Sequence, residues 1–456
     1  MTVPTTITML HGENNLKNMP LPLIRSARLL LTSALPRAFR LGLGLLLCSS
    51  VFYGYSVLTH EAIVDSLWEA SIQKMLVKRF PAATPDELLE AHAYVYGGCI
   101  IQDMGYYPFA SKLFSDLTHY VRSGDFVVAL LHESQDLDEY AFALGALAHY
   151  AADNSGHRIG TNAAVPILYP ELRSQFGPTV TYWDNPISHV RTEFSFDVLQ
   201  VAQGRYAPDA YRGFIGFKVS KPVLERAFLD TYGLEMKDIF KSLDLALGSY
   251  RYATSSIIPG MTKVAWQLKK DSLVKEIPGI TRKKFLFNLS RSAYEKEWGK
   301  GYQRLGFRAR MVSWFLRIVP KAGPFKSLAF RPPTPEVEKL FMASFNDTVD
   351  KYRALLANVD ASGFEIPNEN FDIGAPTVAG QYLGADLAYD KLLGKLADHK
   401  FAGISPELRS NILDYYKDRK PLVIPAGEKD KSADWAKVTE QVEQLRQFEV
   451  QVATAP

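Results

Sequence analysis

The amino-acid sequence predicts an all-α protein, and three observations carry that prediction. No stretch alternates apolar and polar residues over the length of a strand. Helix-start signals recur, among them Thr84-Pro85-Asp86-Glu87 and Thr334-Pro335-Glu336, each an N-cap residue followed by proline and acid in the first turn. His149, Asp153 and His157 stand at four-residue intervals, the spacing that stacks side chains along one helix face. At 456 residues the chain suffices for one large domain or for two to three ordinary ones. Its 47% hydrophobic and 22% charged residues exclude global disorder. Two cysteines, Cys48 and Cys99, supply no disulfide framework, which is compatible with export because export permits disulfides without requiring them.

In chain order, Arg37 and Arg40 precede a short apolar run over 41–52, too short to span a bilayer and patterned like a signal peptide. A cut between Gly54 and Tyr55 would make residues 1–54 a leader and direct the protein out of the cytoplasm, to the periplasm or beyond. The alternative is a retained membrane anchor. A helix is expected over 60–80, stopped by Pro81, and the next from Pro85 towards 101. That helix delivers Gly97-Gly98-Cys99-Ile100-Ile101-Gln102-Asp103 to a bend where small residues allow close backbone approach. A helix over 109–121 carries His119 and is ended by Ser123-Gly124-Asp125. The next covers 137–158, with Gly160 as its C-cap. A loop over 166–183 leads to Asn185-Pro186, the start of a helix bearing His189 and Glu193. Segments 222–232 and 235–256 also carry helical patterns.

After Pro259 the composition changes. Residues 261–330 hold sixteen Lys or Arg against four Asp or Glu, a local +12 in a chain of net +3, interleaved with Phe285, Phe287, Trp298, Phe307, Trp314 and Phe315. Such a surface suits anionic phospholipid headgroups, would also suit a nucleic-acid backbone, and is equally the pattern of a solvated helix face. Prolines between 320 and 335 break the chain, and helices are expected from 335 to about 356, then over 379–398 and 406–418, with a last one near 434–448. The division drawn is a leader (1–54), a helical domain (55–258), a basic aromatic, membrane-facing segment (259–333) and a helical C-terminal extension (334–456).

The His149, Asp153, His157 stripe presents two imidazoles and a carboxylate together, a donor set suited to zinc, or else it is an ordinary solvated polar stripe. The chain has nine histidines, and five of them, His60, His119, His149, His157 and His189, fall on expected helices or their ends. With Asp103, Asp153 and Glu193 they make eight N/O donors, about twice what one zinc ion takes, which points to two or three ions. His92 and His132 lie outside this pattern and are expected to be packed or surface residues, and Cys99 to be a small packed side chain.

The stretches Tyr55-Ser-Val-Leu-Thr-His60-Glu-Ala-Ile and Ala148-His-Tyr-Ala-Ala-Asp-Asn-Ser-Gly-His157 resemble the zinc-dependent phospholipase C family, whose relatives include fungal single-strand nucleases and the N-terminal domain of glycosylphosphatidylinositol-specific phospholipase D. The resemblance covers about residues 55–211. It implies a multi-helix zinc domain in which Asp103, His119, His149 and Asp153 hold one ion and His157, His189 and Glu193 a second. A third would take His60, bridging Asp153 and the amino nitrogen and carbonyl oxygen of the mature N-terminal residue. A cut before Tyr55 puts that residue where better-known members have Trp. It also implies that Asp103 orients or deprotonates the attacking water, or serves only as a ligand, and that zinc activates the water and clamps the oxygens of a displacement at phosphorus. Glu193 stands where the nucleases carry Asp and leans the comparison towards the lipases. Tyr106, Tyr107 and Phe109, beside Asp103, are candidates to line the substrate pocket or to pack in the core.

Taken together, these residues predict a zinc-dependent phosphodiester hydrolase acting on phospholipids at a membrane surface. The alternatives are a nuclease or nucleotidase, with nucleic acid the less favoured substrate, and an envelope protein that binds zinc without catalysis.

Overall fold

The computed structural model of the chain describes residues 57–202, 217–276, 328–421 and 435–448. The leader, Tyr55 and the larger part of the basic aromatic segment lie outside these residues. Among the described residues the architecture is all-α, with one two-stranded ribbon.

The fold begins with α1 (Val57–Leu67), a π turn over Trp68–Ile72 and α2 (Gln73–Arg79), which together fill the span expected as one helix up to Phe80. The Thr84 motif then starts α3 (Pro85–Gly98). Thr84 Oγ1 accepts from the Glu87 N–H at 3.3 Å while Glu87 Oε2 accepts from the Thr84 N–H at 2.7 Å, which satisfies two helix-end donors reciprocally. A 3-10 turn over Ile101–Tyr106 follows, then α4 (Lys112–Tyr120) and α5 (Ser123–His132). Here the structure corrects the sequence reading: Ser123-Gly124-Asp125 opens a helix instead of ending a longer one. Arg122, with left-handed φ of 49°, turns the corner between the two.

Helix α6 (Leu137–Ser155) is the centre of the bundle. Asp136 caps it by accepting from the Glu139 N–H at 2.8 Å, and every residue from Glu139 to Ser155 is buried. A helix covered on all sides needs partners on all sides. On one side α3 approaches so closely that a Cβ on Gly145 would stand 2.1 Å from the Val95 carbonyl oxygen, and one on Gly98 would stand 1.9 Å from that of Phe142.

Helix α6 does not run on to a cap at Gly160. It passes into a π turn, Gly156–Thr161, and then α7 (Asn162–Leu168) and α8 (Pro170–Phe176), so much of the expected loop over 166–183 is helical. Pro166 is tolerated inside α7 because the carbonyl it leaves unpaired, that of Asn162, accepts from the Val180 N–H at 3.0 Å instead. Helix α9 (Pro186–Ala202) starts as expected, with Asn185 Oδ1 accepting from the Ser188 N–H at 3.0 Å.

Helices α10 (Lys221–Tyr232), α11 (Met236–Ile239) and α12 (Leu243–Tyr252) complete this part, and α12 continues through a π turn over Ala253–Ile257 into α13 (Ile258–Glu276). Helical structure therefore runs through position 258, where the composition changes. Phe194 and Val198 of α9, Met261, Val264 and Leu273 of α13, and Leu328 and Phe330 form a small core of their own.

Everything else shares one core. Helix α14 (Pro335–Asn358), capped by Thr334, lays Phe341, Phe345, Val349 and Tyr352 against the bundle. A ribbon follows, β1 (Glu369–Asn370) against β2 (Ala375–Pro376), antiparallel with Asn370 opposite Ala375. Helices α15 (Leu383–Asp398), α16 (Pro406–Lys417) and α17 (Trp435–Gln447) add Leu392, Leu396, Ile412 and Leu445 to the same core. No helix among the described residues is long and apolar enough to cross a membrane.

Candidate metal centre

Six separate elements bring eight side chains to one buried place. Helix α1 supplies His60, the 3-10 turn Asp103, α4 His119, α6 His149 and Asp153, the π turn after it His157, and α9 His189 and Glu193, none more than 4% exposed. Asp153 is the hub. Its Oδ1 lies 3.3 Å from His60 Nε2 and 3.9 Å from His157 Nε2, and its Oδ2 lies 3.1 Å from His149 Nε2 and 3.3 Å from His119 Nε2. Asp103 Oδ1 stands 3.2 Å from His119 Nε2. Across the site Glu193 Oε1 is 2.9 Å from His189 Nε2 and 3.1 Å from His157 Nε2. Two sets result, Asp103, His119, His149 and Asp153 in one and His157, His189 and Glu193 in the other, each with donor atoms within 4.8 Å of one another.

The three-residue stripe is not a continuous α-helical face. His149 and Asp153 lie on α6, whereas His157 sits in the wider π turn, an irregularity that concentrates at functional sites because it re-aims a side chain. It swings His157 from α6 towards Glu193.

These close approaches are not ordinary ion pairs. Asp103 Oδ1, both carboxylate oxygens of Asp153 and of Glu193, and His149 Nε2 are buried, yet none makes a hydrogen bond of good geometry. Buried charge left in that condition costs several kcal/mol. Donor atoms that approach one another without aligning, all aimed at a common point, are what a cation would satisfy. The far sides of the rings fit the same account. His119 Nδ1 lies 2.8 Å from the Ser115 carbonyl oxygen and His149 Nδ1 3.0 Å from that of Cys99. A carbonyl only accepts, so each Nδ1 carries the proton and each Nε2 is left to face the site.

Electrostatics agree. At Asp153 and Glu193 burial favours the neutral form, but the histidine charges outweigh it: His149 and His157 hold Asp153 well below the usual carboxylate range, and His189 and His157 lower Glu193. Burial likewise opposes charge on His119, yet the Asp103 and Asp153 carboxylates beside its Nε2 push it up to about 9. In the metal-free chain, protons supply the positive charge that the carboxylates require.

Of the pocket candidates, Tyr106 lines the cleft over this centre together with Tyr182, a residue the sequence reading missed. Tyr107 and Phe109 do not. Tyr107 is packed edge-on against Tyr250 with ring centroids 5.2 Å apart, and Phe109, at φ 66°, is 46% exposed. Tyr55, expected as a ligand, lies outside the described residues. The larger omission is Asp372, which also lines the cleft and stands 3.2 Å from His157 Nδ1. It comes from the stretch between the helices expected to end near 356 and to begin at 379, and no spacing tied it to the histidines. Of the two histidines set aside, His92 stacks on Trp68 at 3.7 Å and faces Asp65 at 3.2 Å, away from the centre.

The described residues thus form an all-α bundle with two buried groups of nitrogen and carboxylate donors that could hold metal ions. Residues 59–242 match the family model described as zinc dependent phospholipase C. No curated protein and no solved structure matches.

Proposed function

We propose that the protein is a zinc-dependent phosphodiester hydrolase whose substrate is a phospholipid. The observation that carries this reading is the pair of buried donor sets, one of them containing Asp153, within a span that matches a phospholipase C family. Imidazole nitrogen and carboxylate oxygen without thiolate is a zinc-type set, and seven donors exceed what one ion takes, so the described residues suit two ions. His60, on the other side of Asp153, would join a third together with residues upstream of 57. When bound, zinc supplies a Lewis acid that activates water and neutralises charge on phosphoryl oxygens.

The chain's own residues supply the rest. His119, His149 and His157 present Nε2 to the centre because their Nδ1 atoms face acceptors. Asp103, at the cleft side of the first set, is placed to orient a water or take its proton. Tyr106, whose hydroxyl burial keeps protonated, and Tyr182 offer an aromatic wall and hydroxyl donors for a phosphate oxygen. The basic segment over 261–330 would bring the site to an anionic lipid surface, and export would bring it to its substrate.

The test is hydrolysis of phosphatidylcholine vesicles by purified zinc-loaded protein. Activity should vanish with a chelator, return with zinc, and fall by 100-fold or more in Asp103→Asn, on the order of what removing a general base costs. Activity confined to single-stranded nucleic acid would replace the lipid reading. Full zinc loading with no turnover of either substrate would make the centre structural.

A further inference from the structure

The geometry points to Asp372 as a positioning residue of the metal centre, supplied by the C-terminal extension and acting through His157. This rests on the reading of His157 as a metal-facing group.

A neutral imidazole has one N–H and one lone pair, and a ring that is to bind a cation must offer the lone pair. His119 has its orientation fixed by the Ser115 carbonyl one turn back in its own helix, and His149 by the Cys99 carbonyl at the end of α3. His157 sits in a π turn. Its Nε2 points into the second donor set, 3.1 Å from Glu193 Oε1, and its Nδ1 faces Asp372 Oδ1 at 3.2 Å. An ionised carboxylate only accepts, so at this distance Asp372 favours the tautomer with its proton on Nδ1, which leaves the Nε2 lone pair on the cation side and makes that nitrogen more basic.

The carboxylate is itself held firmly. Its other oxygen accepts from the hydroxyl of Tyr120 at 3.0 Å and from that of Tyr382. The main chain around it is fixed as well: the Asp372 N–H donates to Asn370 Oδ1 at 3.0 Å, and the Asp372 carbonyl accepts from Asn162 Nδ2. Phe371 anchors the turn beside it, its N–H donating to the His119 carbonyl at 3.1 Å. Gly374, at φ 59°, lies where a Cβ would stand 2.3 Å from the Asn154 carbonyl oxygen. The ribbon is thus seated against the helices that carry the donors, and the family-matched span, which ends at 242, does not contain the residue that orients one of its histidines.

Zinc affinities measured by chelator competition, with thermal unfolding of the metal-free proteins, test this. Wild type should take at least two zinc ions per chain, one in each donor set. Asp372→Ala should weaken one of them 10- to 100-fold and leave the other within about threefold, the range found for partners of metal-bound histidines. Asp372→Asn, which keeps the shape and an acceptor oxygen, should fold as wild type and recover part of the lost affinity, and Tyr382→Phe should show a smaller loss at the same ion. Unchanged affinity for both ions in Asp372→Ala overturns the assignment. So does a parallel loss at both ions that tracks a lower unfolding temperature of the metal-free protein, the mark of a merely structural residue. Wild-type protein that takes up no zinc overturns the metal centre itself, and the role of Asp372 with it.

Discussion

Asp153 shows how a single side chain defines the centre. Both of its oxygens face imidazoles, its burial is complete, and the neighbouring histidines keep it ionised. The same coupling predicts how the metal-free protein responds to pH. The folded-state value of His119, about 9, lies above its ordinary 6.5, so the folded chain binds that proton more tightly than the unfolded one. Its contribution is fully present below about pH 6.5 and is lost as pH rises through about 9. Melting curves of metal-free wild type should therefore lose roughly 2–3 kcal/mol over that interval. His119→Gln should flatten the slope, and so should zinc, which displaces the protons. His149 with Asp153 and His189 with Glu193 were legible in the sequence because their four-residue intervals on helices survive in the fold. Asp372 was not legible, since its partner is contributed by a distant element and nothing local distinguishes it from any loop aspartate.

Among the elements, the pair α3 and α6 sets the geometry. The distance between them is fixed by backbone contact at Gly98 and Gly145, which places the 3-10 turn bearing Asp103 beside His149. The Gln102 side chain ties the two together, its Nε2 donating to the Ala146 carbonyl at 3.1 Å. Gly145→Ala puts a methyl group against main chain that has no free rotamer to yield, and should destabilise by about 3 kcal/mol or more in urea unfolding, at the upper end of overpacking costs. A variant as stable as wild type would contradict this packing. The helix starts at 85, 186 and 335 were legible because capping and proline chemistry is local. The ends were less so. Gly160 reads as a stop from sequence, but its missing side chain serves contact with Ser344 of α14. Pro166 reads as a breaker, yet a long-range acceptor exchange with Val180 keeps it in a helix.

For the molecule as a whole, the part before 258 and the part after 334, drawn as separate segments from composition, pack about one core. The seams are polar as well as apolar: Tyr352 donates to the Leu144 carbonyl at 2.9 Å, and Ser155 donates to Asp347 at 2.7 Å. All-α architecture followed from sequence because it depends on periodic patterns, whereas His60, Asp103 and His119 stand at no helical interval and were candidates through the family resemblance. Which far segment closes the site did not follow, because it depends on tertiary packing alone. The central claim is that the two donor sets each hold zinc, and diffraction from zinc-loaded crystals at the zinc absorption edge tests it most directly. Anomalous peaks should appear among Asp103, His119, His149 and Asp153 and among His157, His189 and Glu193, with His157 Nδ1 still facing Asp372. Maps from fully soaked crystals with no peak in either set would contradict the account.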